Sequence, residues 1–278
     1  MLRILSDLHL YDARTRVRDL RQLEPLLAGV QTLVINGDSC EMRRGATPAQ
    51  VAELKAFLRA RVPEVVLVTG NHDPDISDRH ELLLDGGRIW VIHGDVFFDD
   101  LTPWSRQRAE LVALVGEVLA TEPGANFENL EVRLRVAREV ARRETELPDR
   151  TTRSWAAHLR WAWHTFFPPR QPLAMLQSWR DLPGRAAAMA AAQRPTAQVV
   201  VTGHVHFPGV WKKPPGPTVI NTGSFFSPLG GHLVDVADGQ VEVRRLARRD
   251  GRFQPGRRVA LVTLAPAAAG RRGAGPAA

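Results

Sequence analysis

Cysteine is almost absent from this sequence of 278 residues. Cys40 is the only one, so no disulfide can form within the chain, which is typical of proteins from a reducing compartment. Long apolar runs are also missing: no stretch reaches about 18 consecutive apolar residues, and the N-terminal MLRILSDLHL contains no apolar segment of signal-peptide length. The expected location is therefore the cytoplasm.

The chain also lacks a motif that interleaves aromatic and basic residues for nucleic-acid binding. Its 37 Lys and Arg residues against 30 Asp and Glu residues give a net charge of +7, which favours anionic partners. This surplus is spread through segments of mixed sign, so it provides no strong nucleic-acid signal. The absence of an internal repeat argues against a solenoid, and no feature indicates an oligomeric state.

One kind of junction, in contrast, occurs repeatedly. The segment VTGNHD at 68–73 passes from apolar residues through glycine into three polar side chains, and similar junctions occur in LRILSDLH, TLVINGD, RIWVIHGD and VVVTGHVH. A single junction of this kind is an ordinary turn. Five strand ends that carry Asp, Asn or His indicate a shared site.

The hydrophobic pattern predicts helices near 17–28 and 48–61, and short strands near 2–6, 32–36, 65–69, 88–93 and 198–202. This βαβαβ start predicts a largely parallel sheet covered by helices. After residue 216, TVINTG, GHLVDVADG and QVEVRRL predict short strands joined by tight turns, with Asp238-Gly239 as a hairpin signal.

The region between these strand-rich segments has helical character. It contains the helical candidates LVALVGEVLA, NLEVRLRVAREVARRE and WAAHLRWAWHTFF, separated by proline-containing segments. We therefore predict a core formed by residues 1–96 and 197–247, interrupted by a helical insertion at 97–196. The sequence predicts no structure for a C-terminal extension at 248–264, and the Ala- and Gly-rich tail at 265–278 is expected to be disordered.

The polar junctions should converge, because ligands of open α/β sheets bind beyond the carboxyl ends of the strands. A spacing of two residues can direct Asp7 and His9 to the same side of an extended segment, and His204 and His206 repeat this spacing. The converging donors are oxygen and nitrogen atoms without a thiolate, too many for one tetrahedral ion but enough for two ions that share a carboxylate. These residues are Asp7, His9, Asp38, Asn71, His93, His204 and His206.

Each of these residues has a simpler explanation when it is taken alone. Asp7 can cap a helix, Asn71 can hold a left-handed turn, and any one histidine can be a satisfied core or surface group. Coincidental turns would not place His or Asp at the end of one strand after another. The joint pattern therefore favours a metal site.

Five ordered motifs carry a resemblance to a known family: DLH at 7–9, GDSCE at 37–41, GNHD at 70–73, HGD at 93–95 and GHVH at 203–206. They resemble the signature of the calcineurin-like metallophosphoesterases over the core of the chain. The resemblance implies an α/β fold, a four-layer αββα metallophosphoesterase sandwich, here with a helical cap insertion. GNHD and Glu41 replace the commoner GNHE and Asp of the family, and both changes keep a carboxylate.

The resemblance also implies two divalent metal ions. One would be held by Asp7, His9, Asp38 and His206, and the other by Asp38, Asn71, His93 and His204. Two such ions with two carboxylates and a bridging hydroxide would carry a local charge of about +1, and coordination lowers the pKa of water to about 7, so that hydroxide can attack an anionic ester in line. Mn²⁺ is the first choice of ion, and Fe and Zn are compatible with the same ligands.

His72 lies beside Asn71 and resembles the family's non-ligating histidine, which would protonate or hydrogen-bond the leaving-group oxygen. Asp73 would then orient its ring. A plain turn role is the weaker alternative for His72, because its neighbours already have assigned roles. Cys40 lies within GDSCE, but no partner motif supports thiol chemistry, so we expect a buried packing role.

The helical insertion and the acidic pair Asp99 and Asp100 are similar to the UDP-2,3-diacylglucosamine pyrophosphatases, which cleave a lipid-linked pyrophosphate. The similarity is partial, because those enzymes usually have arginine in place of His72 and a basic residue in place of Phe207. The expected protein is a metal-dependent phosphoric ester hydrolase that cleaves a phosphodiester or pyrophosphate bond, with a lipid-linked or nucleotide-sugar substrate as a candidate. A nuclease, a phosphomonoesterase and a non-catalytic scaffold of the same fold are the alternatives.

The third helical candidate carries an apolar stripe next to Arg153, Arg160 and Arg170. The simpler explanation is that the stripe packs inside a small cap. The alternative is that part of it contacts acyl chains or an anionic membrane surface, which would make the protein peripheral at the membrane. The stripe consists of Trp155, Leu159, Ala162, Trp163 and Phe166.

Overall fold

The protein is described here as a computed structural model, which covers residues 1–43, 45–121, 124–144 and 169–266. These residues form strands that are numbered in chain order. The strands are β1 (Leu2–Leu5), β2 (Thr32–Asn36), β3 (Glu64–Val68), β4 (Glu81–Leu84), β5 (Ile89–Ile92), β6 (Val199–Thr202), β7 (Gly209–Lys212), β8 (Thr218–Asn221), β9 (His232–Ala237), β10 (Gln240–Arg249) and β11 (Arg252–Thr263).

The strands form two sheets. The first has the spatial order β11-β10-β9-β1-β2-β3, in which β1, β2 and β3 are parallel and β9 is antiparallel to β1. The second has the order β4-β5-β6-β8-β7, in which the inner strands β5, β6 and β8 are parallel and both edge strands are antiparallel. The parallel strands of both sheets end at the polar junctions of the sequence.

The helices of the described residues lie outside these sheets. Thr47 caps the second helix in a capping box with Gln50, and Pro48 occupies its first turn, where a missing N–H costs little. The helices are α1 (Glu24–Leu27), which follows a 3-10 turn at Leu20–Leu23, then α2 (Pro48–Arg59), α3 (Arg108–Ala120), α4 (Leu130–Glu144) and α5 (Arg170–Gln193).

Three apolar clusters separate the layers. The central cluster lies between the two sheets and contains residues from both, such as Ile4, Val34, Val91 and Val201. A second cluster packs α1 and α2 on the first sheet, and a third packs α3, α4 and α5 on the second sheet. The predicted α/β sandwich is therefore confirmed, with helices on the outer face of each sheet.

Most predicted elements of the core are present. The five predicted strands correspond to β1, β2, β3, β5 and β6, and Asp238-Gly239 joins β9 to β10 with positive φ values of 50° and 70°, as a type I′ turn requires. The helix predicted near 17–28 is shorter, because only the 3-10 turn and α1 form there. The candidates LVALVGEVLA and NLEVRLRVAREVARRE lie in α3 and α4.

Several elements of the structure are missing from the sequence prediction, among them the edge strands β4 and β7. Helix α5 contains Pro172 in its first turn and Pro183 in its interior, and packing of Leu182 and Ala186 in the third cluster offsets the lost hydrogen bond. The C-terminal extension forms the end of β10 and β11, joined at Asp250-Gly251 and paired along the hairpin.

Some predictions fall outside the described residues. The third helical candidate, with Trp155, Leu159, Ala162, Trp163, Phe166, Arg153 and Arg160, is one of them, and so is the tail from residue 267 onward. Arg170 is the first residue of α5 and is exposed. None of the helices within the described ranges is both long and apolar enough to span a membrane.

Candidate metal centre

The backbone at the strand ends is unusual. Five of the seven predicted ligands have positive φ values, which non-glycine residues rarely adopt and which are common at functional sites: Asp7 (51°), His9 (46°), Asp38 (50°), His204 (68°) and His206 (54°). Gly203 and Gly70 make room for the carboxylates, because a Cβ atom at either position would collide with Asp7 or Asp38. The local chain is therefore built around the side chains that face the centre.

The structure brings Asp7, His9, Asp38 and His206 together, with one ligand atom from each within 4.8 Å of the others. The Nε2 atoms of His9 and His206 lie 3.0 Å apart, and His206 Nε2 lies 3.2 Å from Asp7 Oδ1. His9 Nε2 lies 3.5 Å from Asp38 Oδ2. Ring nitrogens and carboxylate oxygens thus converge on one point.

The second predicted set converges beside the first. His93 Nε2 lies 3.3 Å from Asp38 Oδ2 and 3.2 Å from the side-chain oxygen of Asn71, and that oxygen lies 3.0 Å from His204 Nδ1. The remaining ring nitrogens meet backbone carbonyls: His93 Nδ1 lies 3.1 Å from Asn36 O, and His204 Nε2 lies 2.8 Å from Leu101 O. Each carbonyl accepts a ring N–H, which leaves the lone pair of the other nitrogen directed at the centre.

These contacts are those expected of metal ligands. The donor set consists of carboxylate, amide and imidazole groups, and its lone pairs face one another, although lone pairs repel unless a proton or a cation lies between them. His9 Nδ1 is buried without a hydrogen-bond partner among the described residues. Asp7, His9, Asp38 and His206 therefore fit a divalent cation, and Asn71, His93 and His204 lie beside them as further donors.

The donors of the centre differ in their ionisation. Burial alone would raise the pKa of the Asp7 carboxyl, but contacts with His206 and His9 hold it well below its usual value. Burial would also raise the pKa of Asp38, and the neighbouring His93 outweighs that effect and lowers it. Burial would lower the pKa of His93 and of His9, but Asp38 and Asp7 raise them, so a cation at these rings would have to displace a proton. Burial together with the neighbouring His93 lowers the pKa of His204 to about 3, so His204 is neutral at physiological pH, as a metal ligand must be.

His72 lies next to the centre without joining either ligand set. Its Nδ1 atom lies 2.6 Å from Glu41 Oε2, its Nε2 atom lies 4.0 Å from Asp38 Oδ2, and its backbone N–H donates to Asp38 Oδ1. Burial first and the Arg43 charge second lower the pKa of His72 to about 4, although Asp38 opposes the shift. His9, Glu41 and His72 also form a second small group of potential ligands.

The predicted orienting role of Asp73 needs correction. Its carboxylate accepts backbone N–H groups from Asp38 (2.9 Å), Ser39 (2.6 Å) and Gly70 (2.8 Å), so it joins two ligand-bearing loops instead of contacting the His72 ring. Glu41 contacts that ring. Burial and the neighbouring Asp38 raise the pKa of Asp73 to about 7.

Several residues near the centre are missing from the sequence prediction. Arg43 Nη2 lies 2.8 Å from His72 Nε2, and Arg43 Nη1 forms an ion pair with Glu144 at the end of α4. Phe226 stacks on His9 with ring centroids 4.7 Å apart, and Trp104 lies 5.0 Å from the His204 ring. No ligand spacing identifies these residues, since the Arg43–Glu144 pair joins positions 101 residues apart.

Three residues noted in the sequence have structural explanations. Cys40 is fully buried in the cluster beneath α2, and burial raises the pKa of its thiol far above the usual value, which matches the expected packing role. Asp99 and Asp100 pair with Arg133 and Arg108, so they connect the loop after β5 to the helices of the insertion.

The fold and the centre define a class: two-sheet α/β proteins with a histidine- and carboxylate-rich site at the strand ends. The profile of the calcineurin-like phosphoesterase family matches residues 2–208, and the chain belongs to that family. No curated protein sequence matches the chain.

Solved structures with similar folds include a single mutant of Vps29 from Entamoeba histolytica, with 16% identity over 93% of this chain and 97% of that chain and a TM-score of 0.42. A predicted phosphoesterase from Streptococcus pneumoniae TIGR4 has 17% identity over 93% and 94% of the two chains and a TM-score of 0.39. A dimetal phosphatase from Danio rerio has 11% identity over 95% and 98% and a TM-score of 0.45.

Proposed function

We propose that the protein is a dinuclear metal-dependent hydrolase of a phosphodiester or pyrophosphate bond. The convergence of seven oxygen and nitrogen donors beyond the ends of both sheets carries this proposal. The geometry of His93 and His204 supports it further, because a backbone carbonyl fixes each ring with one nitrogen toward the centre. A scaffold that bound no metal would have no need of such oriented lone pairs.

The proposed ligands of one ion are Asp7, His9, Asp38 and His206, and those of the other are Asp38, Asn71, His93 and His204. Two divalent ions in these positions would supply a hydroxide nucleophile at neutral pH and neutralise the charge of the phosphoryl group. Mn²⁺ suits the mixture of carboxylate, amide and imidazole ligands, and Zn²⁺ and Fe suit it as well.

His72 is the proposed partner of the leaving group. Glu41 accepts a hydrogen bond from Nδ1 and so fixes the ring with Nε2 on the side of Asp38. In the neutral ring Nε2 carries no proton, so His72 can protonate the departing oxygen only after Nε2 has taken up a proton, which the negative charge of a bound phosphoryl group favours. Asp73 acts only by joining the loops that carry Asp38 and Asn71.

Arg43 is the proposed contact for a non-bridging phosphoryl oxygen. Its side chain is only 11% exposed, its Nε atom lacks a hydrogen-bond partner in the described part of the chain, and Nη2 faces the site next to His72. A neutral imidazole is a weaker partner for a guanidinium than a phosphate oxygen. An incoming anionic ester can therefore replace His72 as the partner of Nη2.

The proposed substrate class is inferred from the side chains around the rim of the site. Trp104 comes from the insertion side, where it packs on the buried Phe98, Phe226 comes from the opposite side, and Arg14 lies over the Phe226 ring at 5.2 Å. An apolar rim beside a phosphate site favours an amphiphilic ester, such as a lipid-linked or nucleotide-sugar pyrophosphate. Contact with a membrane surface is part of this proposal, and exposed Leu173 and Leu176 on α5 support it.

The test is a substrate panel with Mn²⁺-loaded protein: bis(p-nitrophenyl) phosphate, a nucleotide-sugar pyrophosphate, a phosphomonoester and single-stranded DNA. We expect hydrolysis of the first two, and an Asp38→Ala variant should lose metal and slow by on the order of 10³-fold. Asp19→Ala, a change to an exposed helix cap, is the control. Preferred cleavage of DNA or of the monoester would select those alternatives, and a fully metal-loaded protein without any hydrolysis would select the scaffold.

A further inference from the structure

A second surface, outside the metal centre, combines an open sheet edge with unpaired positive charge. Strand β3 lies at the edge of the first sheet, and an open cleft of about 700 Å³ runs along it between α2, the loop before β4 and the start of α4. This volume is in the range of ligand sites, although the described lining combines aliphatic and charged residues with His80 and contains no Phe, Tyr or Trp.

The outer backbone of β3 has unused hydrogen-bonding groups. Glu64 N–H donates to Gln31 O on the inner side, and Thr69 N–H donates to Arg79 O on the outer side, so the alternate residues Val65 and Leu67 point their backbone groups away from β2. Ser77 Oγ donates to Leu67 O. The N–H and C=O groups of Val65 and the N–H group of Leu67 therefore face the cleft, where no strand of the described residues pairs with them.

The charges in the cleft are unequally partnered. Three of its four acidic residues form ion pairs, since Asp78 contacts Arg138, and Glu81 and Glu131 contact Arg194, whereas Glu64 accepts a hydrogen bond only from the neutral hydroxyl of Thr32. Its basic residues Lys55, Arg59 and Arg79 have no side-chain hydrogen bond or ion pair in the described ranges. Lys55 and Arg59 lie four residues apart on α2, so they extend from one face of that helix.

We propose that this cleft binds an extended acidic segment of a partner protein, which adds a strand to β3 and places carboxylates against Lys55, Arg59 and Arg79. Strand addition uses backbone hydrogen bonds for affinity and alternate side chains for specificity. A second copy of the chain is a poor occupant, because pairing two β3 edges would bring six unpaired cations together with only the two Glu64 carboxylates to offset them. The C-terminal tail carries Arg271 and Arg272 and no acidic residue, so charge disfavours it as well.

Basic residues at a sheet edge also prevent aggregation, so this simpler role is the competing explanation. If the basic residues only prevented aggregation, the cleft would show no preference for carboxylates, and the backbone groups of Val65 would not bind a peptide. Nucleic acid is the other competing anion, but the described residues that line the cleft include no Phe, Tyr or Trp to stack a base, and His80 is their one aromatic ring. Both explanations are distinguishable by binding.

The test measures fluorescence anisotropy of short fluorescein-labelled peptides with the metal-loaded protein. A peptide of alternating Glu and Val should bind, while its Lys-for-Glu counterpart and a version N-methylated at alternate residues should bind at least about tenfold more weakly. Arg59→Glu should weaken binding of the acidic peptide about tenfold, and Arg61→Glu, the same reversal two residues along and facing Glu24, should not.

Val65→Pro removes one outward N–H without touching the pairing with β2, and it should also weaken binding. Metal content and the urea midpoint of each variant establish that it is folded, and the methylated peptide tests the wild type without any substitution. No binding of the acidic peptide, equal binding of the methylated peptide, or tighter binding of labelled single-stranded RNA would overturn the proposal. None of these measurements depends on hydrolysis, so they stand apart from the proposed activity.

Discussion

The two halves of the proposed metal centre, which would share Asp38, differ in how their histidines are held. In the half formed by Asn71, His93 and His204, the remote nitrogen of each ring meets a backbone carbonyl, and both rings are nearly fully buried. In the half formed by Asp7, His9 and His206, the remote nitrogen of His9 has no partner in the described chain, and the side chain of His206 is 31% exposed.

This difference concerns pre-organisation. A ring whose tautomer and orientation are fixed by a carbonyl loses little entropy when it binds an ion, and removal of such supporting contacts typically costs 10–100-fold in affinity. The half with His93 and His204 should therefore hold its ion tightly. The half with His9 and His206 should exchange its ion more readily and is the more accessible to solvent.

The largest effect on turnover is expected from two separate variants, each of which removes one histidine from one half. His93→Ala should lower turnover by on the order of 10³-fold at any Mn²⁺ concentration, because the tightly held ion is lost. His206→Ala should be similarly slow at micromolar Mn²⁺ but should recover most of its activity at millimolar Mn²⁺. Metal content by mass spectrometry after gel filtration should show about one ion per chain for His206→Ala.

Partial removal of metal from the wild type provides the matched experiment. Brief treatment with a chelator should leave about one ion per chain, and that intermediate should regain activity on addition of Mn²⁺ alone. Simultaneous loss of both ions, or rescue of His93→Ala instead of His206→Ala, would reverse the assignment of the tight half. The two halves would then differ for a reason other than the carbonyl contacts.

The next largest effect is expected at His72, which lies beside both halves and should differ from the proposed ligands because its loss leaves the metal content unchanged. His72→Gln should keep the full metal content while losing on the order of 10²–10⁴ in turnover of a diester with an alkyl leaving group. Loss with a p-nitrophenyl leaving group should be smaller, because that oxygen needs little protonation. Equal losses for the two leaving groups would assign His72 to positioning only.

The sequence predicts the seven converging donors because their positions follow a general rule of parallel sheets. Strand ends meet at one edge, so Asp or His after successive apolar runs can be placed without knowing the packing. The same rule predicts nothing about Asp73, whose neighbours in sequence suggest a contact with His72. Its burial between two loops leaves three backbone N–H groups as its nearest donors, and these determine its role.

A smaller effect is expected at Arg43, the link between the centre and α4. Arg43→Gln should raise KM for an anionic diester and the inhibition constant of inorganic phosphate about tenfold, with metal content unchanged. Glu144→Gln should lower the phosphate inhibition constant, because the guanidinium loses its competing carboxylate. Arg61→Gln is the matched control. If phosphate inhibited Arg43→Gln and Glu144→Gln both more weakly than the wild type, the Arg43–Glu144 ion pair would only hold α4 in place.

Contacts of this kind explain why the rim is harder to predict than the ligands. Arg43 and Glu144 meet only after the insertion packs on the core, and Phe226 reaches His9 from a loop near the end of the chain. Helix α5 is similar, since Pro183 argues locally against a helix and only tertiary packing outweighs it. Long-range packing leaves no local pattern in the chain.

The smallest expected effect is on stability, and it tests whether a histidine that is buried outside the centre behaves differently from the proposed ligand histidines. His232 is buried like them but lies outside both halves, and burial first and the Arg245 charge second lower its pKa to about 4. The folded state therefore keeps His232 neutral, while the same side chain takes up a proton in the unfolded state below about pH 6.5. The contribution of His232 to the free energy of unfolding is present above that pH and is lost as the pH falls through about 4. His232→Gln should leave metal content and turnover unchanged and should reduce the loss of unfolding free energy between pH 6.5 and 4.5 by on the order of 1 kcal/mol in urea titrations. An unchanged acid slope would mean that His232 is not the group responsible, and a loss of metal would mean that the centre extends beyond the two halves.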